Sequence, residues 1–142
     1  MKKMITVIIC CLIANFATAQ QDKEKIERAC MDYIEGFYEG DTTKLIRSID
    51  PLLFKFGYAR DKETGKYIPD GNMTWRQALD YAKRVYEKKR FAKPDAPKKV
   101  EVLDMMNNTA AAKVTAWWGT DYILLGKQDD KWVIREVLWE GQ

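Results

Sequence analysis

Histidine is absent from this 142-residue chain, and several chemistries go with it. No Ser-His-Asp or Cys-His nucleophile can form, no imidazole can act as acid or base, and no histidine can hold zinc or iron. Cysteine is scarce as well. Of three residues, Cys10 and Cys11 sit side by side in an amino-terminal apolar run, which leaves Cys30 alone in the rest of the chain. A four-cysteine zinc site is impossible, and a lone Cys30 on a helical stripe reads as a small buried residue. No glycine-rich phosphate loop or dinucleotide fingerprint appears. Basic and acidic groups nearly balance, 24 against 21, so there is no electrostatic case for nucleic acid or an anionic membrane as partner. Any catalysis must draw on carboxylates, tyrosines or lysines, and neither metal nor cofactor is expected.

Long apolar runs are also lacking, with one exception. The opening "MKKMITVIICCLIANFATAQ" has two lysines, an apolar stretch from Met4 to about Phe16, and Ala17-Thr18-Ala19 as a cleavage signal. This pattern is that of a secretory signal peptide over residues 1–19. Its apolar stretch is shorter than the roughly 20 residues a permanent span needs. Ile8 and Ile9 precede the cysteines where a lipoprotein signal would have small residues, so no membrane anchor is expected. The expectation is an exported chain, periplasmic or extracellular, starting near Gln20 and folding residues 20–142 as one domain. Loss of Lys2 and Lys3 would reduce the formal charge from +3 to +1.

What remains divides into a helical half and a strand half. From Asp22 to Glu39, Ile26, Ala29, Cys30, Tyr33, Ile34, Phe37 and Tyr38 recur at the spacing of one helix face. Gly40 stops that helix, and Asp41 caps a short second one carrying Leu45, Ile46 and Ile49, ended by Asp50-Pro51. "LLFKFGYAR" and "GKYIP" read as paired strands around "DKETG". Thr74 and Gln77 form a capping box for a third helix that buries Leu79, Ala82, Val85 and Tyr86. After the proline-containing link "RFAKPDAPKK", the runs "VEVLDMM", "TAAAKVTAWWG", "DYILLGK" and "WVIREVLW" are separated by short polar turns and predict an antiparallel meander. The fold class is therefore α+β, in the order α-α-β-β-α-β-β-β-β. In the last strand Trp132, Ile134 and Leu138 alternate with Val133, Val137 and Trp139. With apolar side chains on both faces, one face should meet the helices and the other a second subunit, giving a homodimer.

The aromatic first helix ending in Gly40-Asp41, the Asp121-Tyr122 opening of a late strand and the "DDKWVIREVLW" end resemble the nuclear-transport-factor-2-like superfamily. The likeness is to its exported members, known as SnoaL-like or "putative lumazine-binding" proteins, and it covers nearly all of residues 20–142. The resemblance implies a cone in which a curved antiparallel sheet wraps three helices and leaves a pocket at its open end. Relatives use that pocket for isomerisation, cyclisation, dehydration or binding alone, so the fold does not choose the function. Against the ketosteroid isomerases of the superfamily, Tyr33 occupies the place of the oxyanion-donating tyrosine. The place of their general-base aspartate falls on Gly57, and that of their second, protonated aspartate near Ile123, with Tyr122 as neighbour. The resemblance thus argues against that isomerisation.

Candidate ligand-binding residues are Tyr33, Phe37, Trp75, Trp118, Asp121, Ile123, Arg135 and Trp139. Tyr33 reads as a core or pocket wall ahead of a catalytic hydroxyl. Asp121 is either a pocket carboxylate or a turn residue. Trp117 and Trp118, adjacent on a strand, should face opposite sides, with Trp118 inward beside Ala112, Val114 and Ala116. Comparison with the isomerase end turns Arg135, Val137 and Trp139 toward the interior, where Arg135 could hold an anion or stay on the rim, and leaves Glu136 as a solvated or interface charge. Trp75 should lie near the cone mouth. The function expected is non-catalytic binding of a small apolar or aromatic molecule. A Tyr33/Asp121 isomerase, cyclase or dehydratase and a structural dimer with a filled cone are the alternatives.

Overall fold

A computed structural model describes the backbone of residues 2–141 and the side chains of residues 18–141. Helix α1 runs from Lys2 to Glu39 without a break at Ala19, and the side chains of the expected signal before Thr18 lie outside the described residues. Among the described residues, no helix is long and apolar enough to cross a membrane. The helix stops where glycine permits it. Gly40 has φ +68°, and the Asp41 N–H returns to the Gly36 carbonyl at 3.0 Å, closing the last turn. A Cβ on Gly40 would also lie 2.7 Å from the Ala82 carbonyl oxygen, so this glycine lets two helices approach.

Asp41 then caps α2, Thr42–Ser48, by accepting from the Thr43 and Lys44 N–H groups. Ile49 is not part of that helix. It opens β1, Ile49–Arg60, which pairs with β2, Tyr67–Met73. Helix α3, Trp75–Glu87, carries the expected Thr74/Gln77 capping box. Its buried face is smaller than the sequence suggests: Ala78, Ala82 and Val85 are covered, whereas Tyr86 is exposed and meets Phe91 edge-on. Strands β3 (Lys99–Met105), β4 (Thr109–Ala116), β5 (Gly119–Gln128) and β6 (Lys131–Gly141) form the expected meander.

One six-stranded sheet results, in the order β2-β1-β6-β5-β4-β3. It is antiparallel except where β1 lies parallel to β6, a pairing that adjacency along the chain did not suggest. The sheet curves over α1, whose Ile26, Cys30, Tyr33 and Ile34 are fully covered and join Leu45, Val114, Ile123, Ile134 and Val137 in one core. This is the expected α+β cone of three helices inside a bent sheet.

A bulge in β6 and the phase of β1 decide which side chains enter the cone. In β6 the pairing with β5 skips Arg135, since Leu124 faces Glu136 and Leu125 faces Ile134. Such a bulge reverses the alternation. Trp132 and Ile134 point to the helices before it and Val137 after it, so Leu138 is exposed instead of sharing the face of Ile134. In β1 the inward phase is Leu53, Lys55 and Gly57, while Leu52 and Phe54 are exposed. The more apolar phase of that strand faces out.

Candidate functional site

A cavity of about 440 Å³ opens between α1, α3, β1, β2, the end of β6 and the turn between β4 and β5, and Tyr33, Phe37, Lys55, Tyr81, Trp118 and Trp139 give it most of its character. Its walls are aromatic. Phe37 meets Tyr33, Tyr81 and Trp118 edge-on at centroid distances of 5.1, 5.7 and 5.7 Å, which fixes the rings against one another. Its floor is polar, built on Tyr33 of α1 and Lys55 of β1, with Asp121 of β5 directly behind them.

Asp121 is the shared partner of the groups in front of it. The residue is fully buried, and its carboxylate accepts from the Tyr33 hydroxyl at 2.5 Å on Oδ2 and from the Trp118 indole N–H at 2.7 Å on Oδ1. Lys55 Nζ stands 3.3 Å from Oδ2 and donates to the Tyr33 oxygen at 2.7 Å. The ammonium also lies over the rings of Tyr33 and Trp139, at 5.5 and 5.3 Å from their centroids. An ammonium has three donors, two of which are directed at Tyr33 and Asp121. Because Lys55 lines the cavity, the third is available to a ligand.

Burial is the largest influence on the protonation of Lys55, Tyr33 and Cys30. Desolvation pulls the Lys55 ammonium below its ordinary range, against the opposing attraction of Asp121. The Tyr33 hydroxyl is pushed well above 10, first by burial and then by the adjacent Asp121 charge, and so remains a donor at any physiological pH. Cys30, behind Tyr33 on the same helix face, is raised to about 12 by burial and is an inert thiol.

The ring of Trp118 is placed by a hairpin rather than by a strand. Ala116 pairs with Gly119, so Trp117 and Trp118 are the two turn residues between β4 and β5. Both rings therefore reach the cavity, instead of facing opposite sides of the sheet. Tyr38 holds the turn: its hydroxyl accepts from the Trp117 N–H at 2.8 Å and donates to the Pro97 carbonyl at 2.5 Å. The small Ala112, Val114 and Ala116 lie inward and buried, as their phase predicts.

Of the eight candidates, Tyr33, Phe37, Trp118 and Trp139 line the cavity and Asp121 lies directly behind its floor. Three do not take part. Ile123 is buried in the core, one step deeper along β5. Trp75 packs against the core at the start of α3, with its indole nitrogen buried and unpaired, away from the cavity lining. Arg135 is carried out of the interior by the β6 bulge and pairs with Asp50 at 3.1 Å, so it holds no anion in the pocket. Glu136 is exposed, in keeping with a solvated charge.

Lys55 was missed. The usable signal was its alternation with Leu53 and Gly57, hidden because the opposite phase, Leu52, Phe54, Phe56 and Tyr58, is the more apolar. Gly57, where an isomerase would carry its base, is occupied sterically: a Cβ there would fall 2.3 Å from the Trp139 ring. No carboxylate fits at that point while Trp139 closes the wall. Tyr122 is exposed on the outer face, and the inward carboxylate belongs to Asp121.

A cone with a small-molecule-sized cavity at its open end defines the class, and comparison with known proteins agrees. The fold is similar to NTF2-like proteins of unknown function from Shewanella baltica OS155 (19% identity, covering 86% of this chain and 94% of that one, TM-score 0.67) and Silicibacter pomeroyi DSS-3 (11%, 87% and 98%, TM-score 0.65). It is also similar to one from Methylobacillus flagellatus KT (17%, 86% and 93%, TM-score 0.64). These identities speak for the fold alone. No curated protein matches the sequence. The family itself is shown by its model: residues 21–140 match the family described as "Putative lumazine-binding", and the chain belongs to it.

Proposed function

We propose that this protein binds a small, flat, largely apolar molecule carrying a hydrogen-bond acceptor, and that it does so without turnover. The observation that carries this reading is the cavity itself, with aromatic walls above a floor whose Tyr33, Asp121 and Trp118 donors and acceptors already satisfy one another. The remaining Lys55 donor suits a carbonyl oxygen or a ring nitrogen. A heteroaromatic ring system of the kind named in the family's description has both. The open cavity speaks against a cone filled by its own side chains. Tryptophan fluorescence during titration with lumazine and with naphthalenemethanol tests the reading. Saturable quenching by at least one probe is expected, and no response to either would defeat it.

A second reading, a small-molecule isomerase, cyclase or dehydratase, is favoured by the 2.5 Å Tyr33–Asp121 hydrogen bond inside the site. It ranks below binding because the steric block at Gly57 removes one base and Asp121 is engaged by three donors. A substrate turned over by the native protein but not by Tyr33→Phe would reverse the order.

The setting belongs to the same proposal. The Ala17-Thr18-Ala19 signal supports export with a mature start near Gln20, and amino-terminal sequencing of the exported chain decides it. Phe54, Tyr122, Leu124 and Leu138 share the exposed outer face of the sheet, which supports a homodimer through that face.

A further inference from the structure

Lys55 has no place in a purely apolar binding site, and its surroundings fit a reaction. We propose that the cavity captures aldehydes covalently, Lys55 Nζ forming an imine with a flat aromatic or aliphatic aldehyde held between Phe37, Trp118 and Trp139. This rests on the cavity being a ligand site, as argued above, and goes further in naming the ligand's reactive group and the bond it makes.

The geometry supplies what imine formation requires. Lys55 is nearly buried, at 7% exposure, yet lines the cavity, so an aldehyde bound there can bring its carbon to the amine and displace water from it. A carboxylate lies 3.3 Å from Nζ to take its proton, and a hydroxyl lies 2.7 Å away, itself bonded to that carboxylate, to pass a proton on. Burial favours the uncharged amine, which is the nucleophile. In the step proposed, Asp121 accepts a proton from the ammonium and the freed nitrogen pair attacks the carbonyl carbon. The carbonyl oxygen takes up that proton and then a second from the nitrogen through the Tyr33–Asp121 pair. The C–O bond breaks, water leaves, and the nitrogen keeps one hydrogen and the positive charge in the C=N bond. Ammonium plus aldehyde thus gives iminium plus water, with no oxidant or reductant. The iminium replaces the ammonium beside Asp121, so the buried charge balance is unchanged.

A structural ion pair would leave Lys55 unreactive, and the two roles are separable on the native protein. The full chain is incubated with naphthaldehyde at neutral pH, treated briefly with borohydride to reduce any imine, and mapped by peptide mass spectrometry. Tryptophan quenching by naphthaldehyde and by naphthalenemethanol, which lacks the carbonyl, is followed in parallel. The expected result is one naphthylmethyl adduct on Lys55, formed at least about tenfold faster than on any exposed lysine, since a positioned amine gains far more than that from proximity. Naphthalenemethanol should compete the adduct away from Lys55 alone. Lys55→Arg, which keeps the charge beside Asp121 but cannot form the imine, should lose the adduct while its far-ultraviolet circular dichroism shows it folded. Quenching by both probes with adducts only on exposed lysines would overturn the proposal and leave the binding site standing. No quenching by either probe would overturn both.

Discussion

Removing the Asp121 carboxylate is the perturbation on which the polar floor can be judged most severely. Asp121→Asn keeps the shape but leaves Lys55 as a buried cation without a counter-charge, and it replaces an acceptor that three donors share. Breaking a buried ion pair from one side costs about 3–5 kcal/mol, and the lower half of that range is expected because Lys55 can shed its proton. Lys55→Met removes the other charge and leaves the carboxylate with the Tyr33 and Trp118 donors, a smaller loss of about 1–3 kcal/mol. The double variant has neither stranded charge, so the two losses should overlap by about 1–2 kcal/mol in a double-mutant cycle. The assay is urea unfolding followed by far-ultraviolet circular dichroism, which avoids the tryptophans in the site. With slopes of about 1–3 kcal/mol/M, Asp121→Asn should lower the midpoint by about 1–4 M. The sign with pH follows from the lowered Lys55 value. Between its folded value and 10.5 the unfolded chain binds the extra proton, so the contribution of Lys55 to stability rises with pH in that window. Loss of Asp121 removes an interaction that raises Lys55, so the window should reach further down in pH. Single losses below about 1 kcal/mol that simply add would refute a coupled buried pair.

Gly57→Ala should cost about 1–3 kcal/mol by overpacking and weaken ligand quenching, because its Cβ would displace the Trp139 ring from the wall; unchanged stability by thermal unfolding would contradict the close approach. Alkaline conditions should destabilise the fold: Cys30, raised to about 12, and Tyr33, raised well above 10, keep their protons when folded, so their contribution is intact below about pH 9 and is lost as pH rises through the folded values. Native Cys30 should accordingly resist iodoacetamide until urea exposes it. If the proposed dimer forms through the outer face, Leu138→Lys should convert it to a monomer in sedimentation velocity with little change in fold, because Leu138 is exposed there; a native chain that stays monomeric at high concentration would remove the basis for that interface.

Local signals carried the fold far. The stripe of Ile26, Cys30, Tyr33 and Phe37, the Gly40 stop, the Thr74/Gln77 box and the strand-turn rhythm after Lys99 each report a local preference that the core then reinforces. What escaped were features set by pairing between distant segments. The parallel β1–β6 contact is nonlocal, and the bulge at Arg135 reverses the phase of a strand whose two faces are both apolar, so alternation alone could not orient Arg135 or Leu138. The site followed the same division. Tyr33, Phe37, Trp118 and Trp139 stand out as aromatics on inward phases. Lys55 does not, because a lysine opposite the apolar phase of β1 reads as solvated until the sheet curves and buries it. Trp75 marked the first turn of α3 correctly but not the direction of its ring.

The five tryptophans offer the most direct measurement of the central claim, that the aromatic cavity over Asp121 is a ligand site. In a nitrogen-15 correlation spectrum each indole N–H gives one signal, and their surroundings differ. Trp117, Trp118 and Trp139 line the cavity. Trp132 donates to Asp22 at 3.1 Å, and Trp75 is packed against the core outside the lining. Titration with naphthalenemethanol should shift the Trp117, Trp118 and Trp139 signals saturably, that of Trp118 as its bond to Asp121 adjusts, and leave Trp75 and Trp132 in place. Shifts confined to Trp75 or Trp132, or none at any tryptophan, would contradict the account.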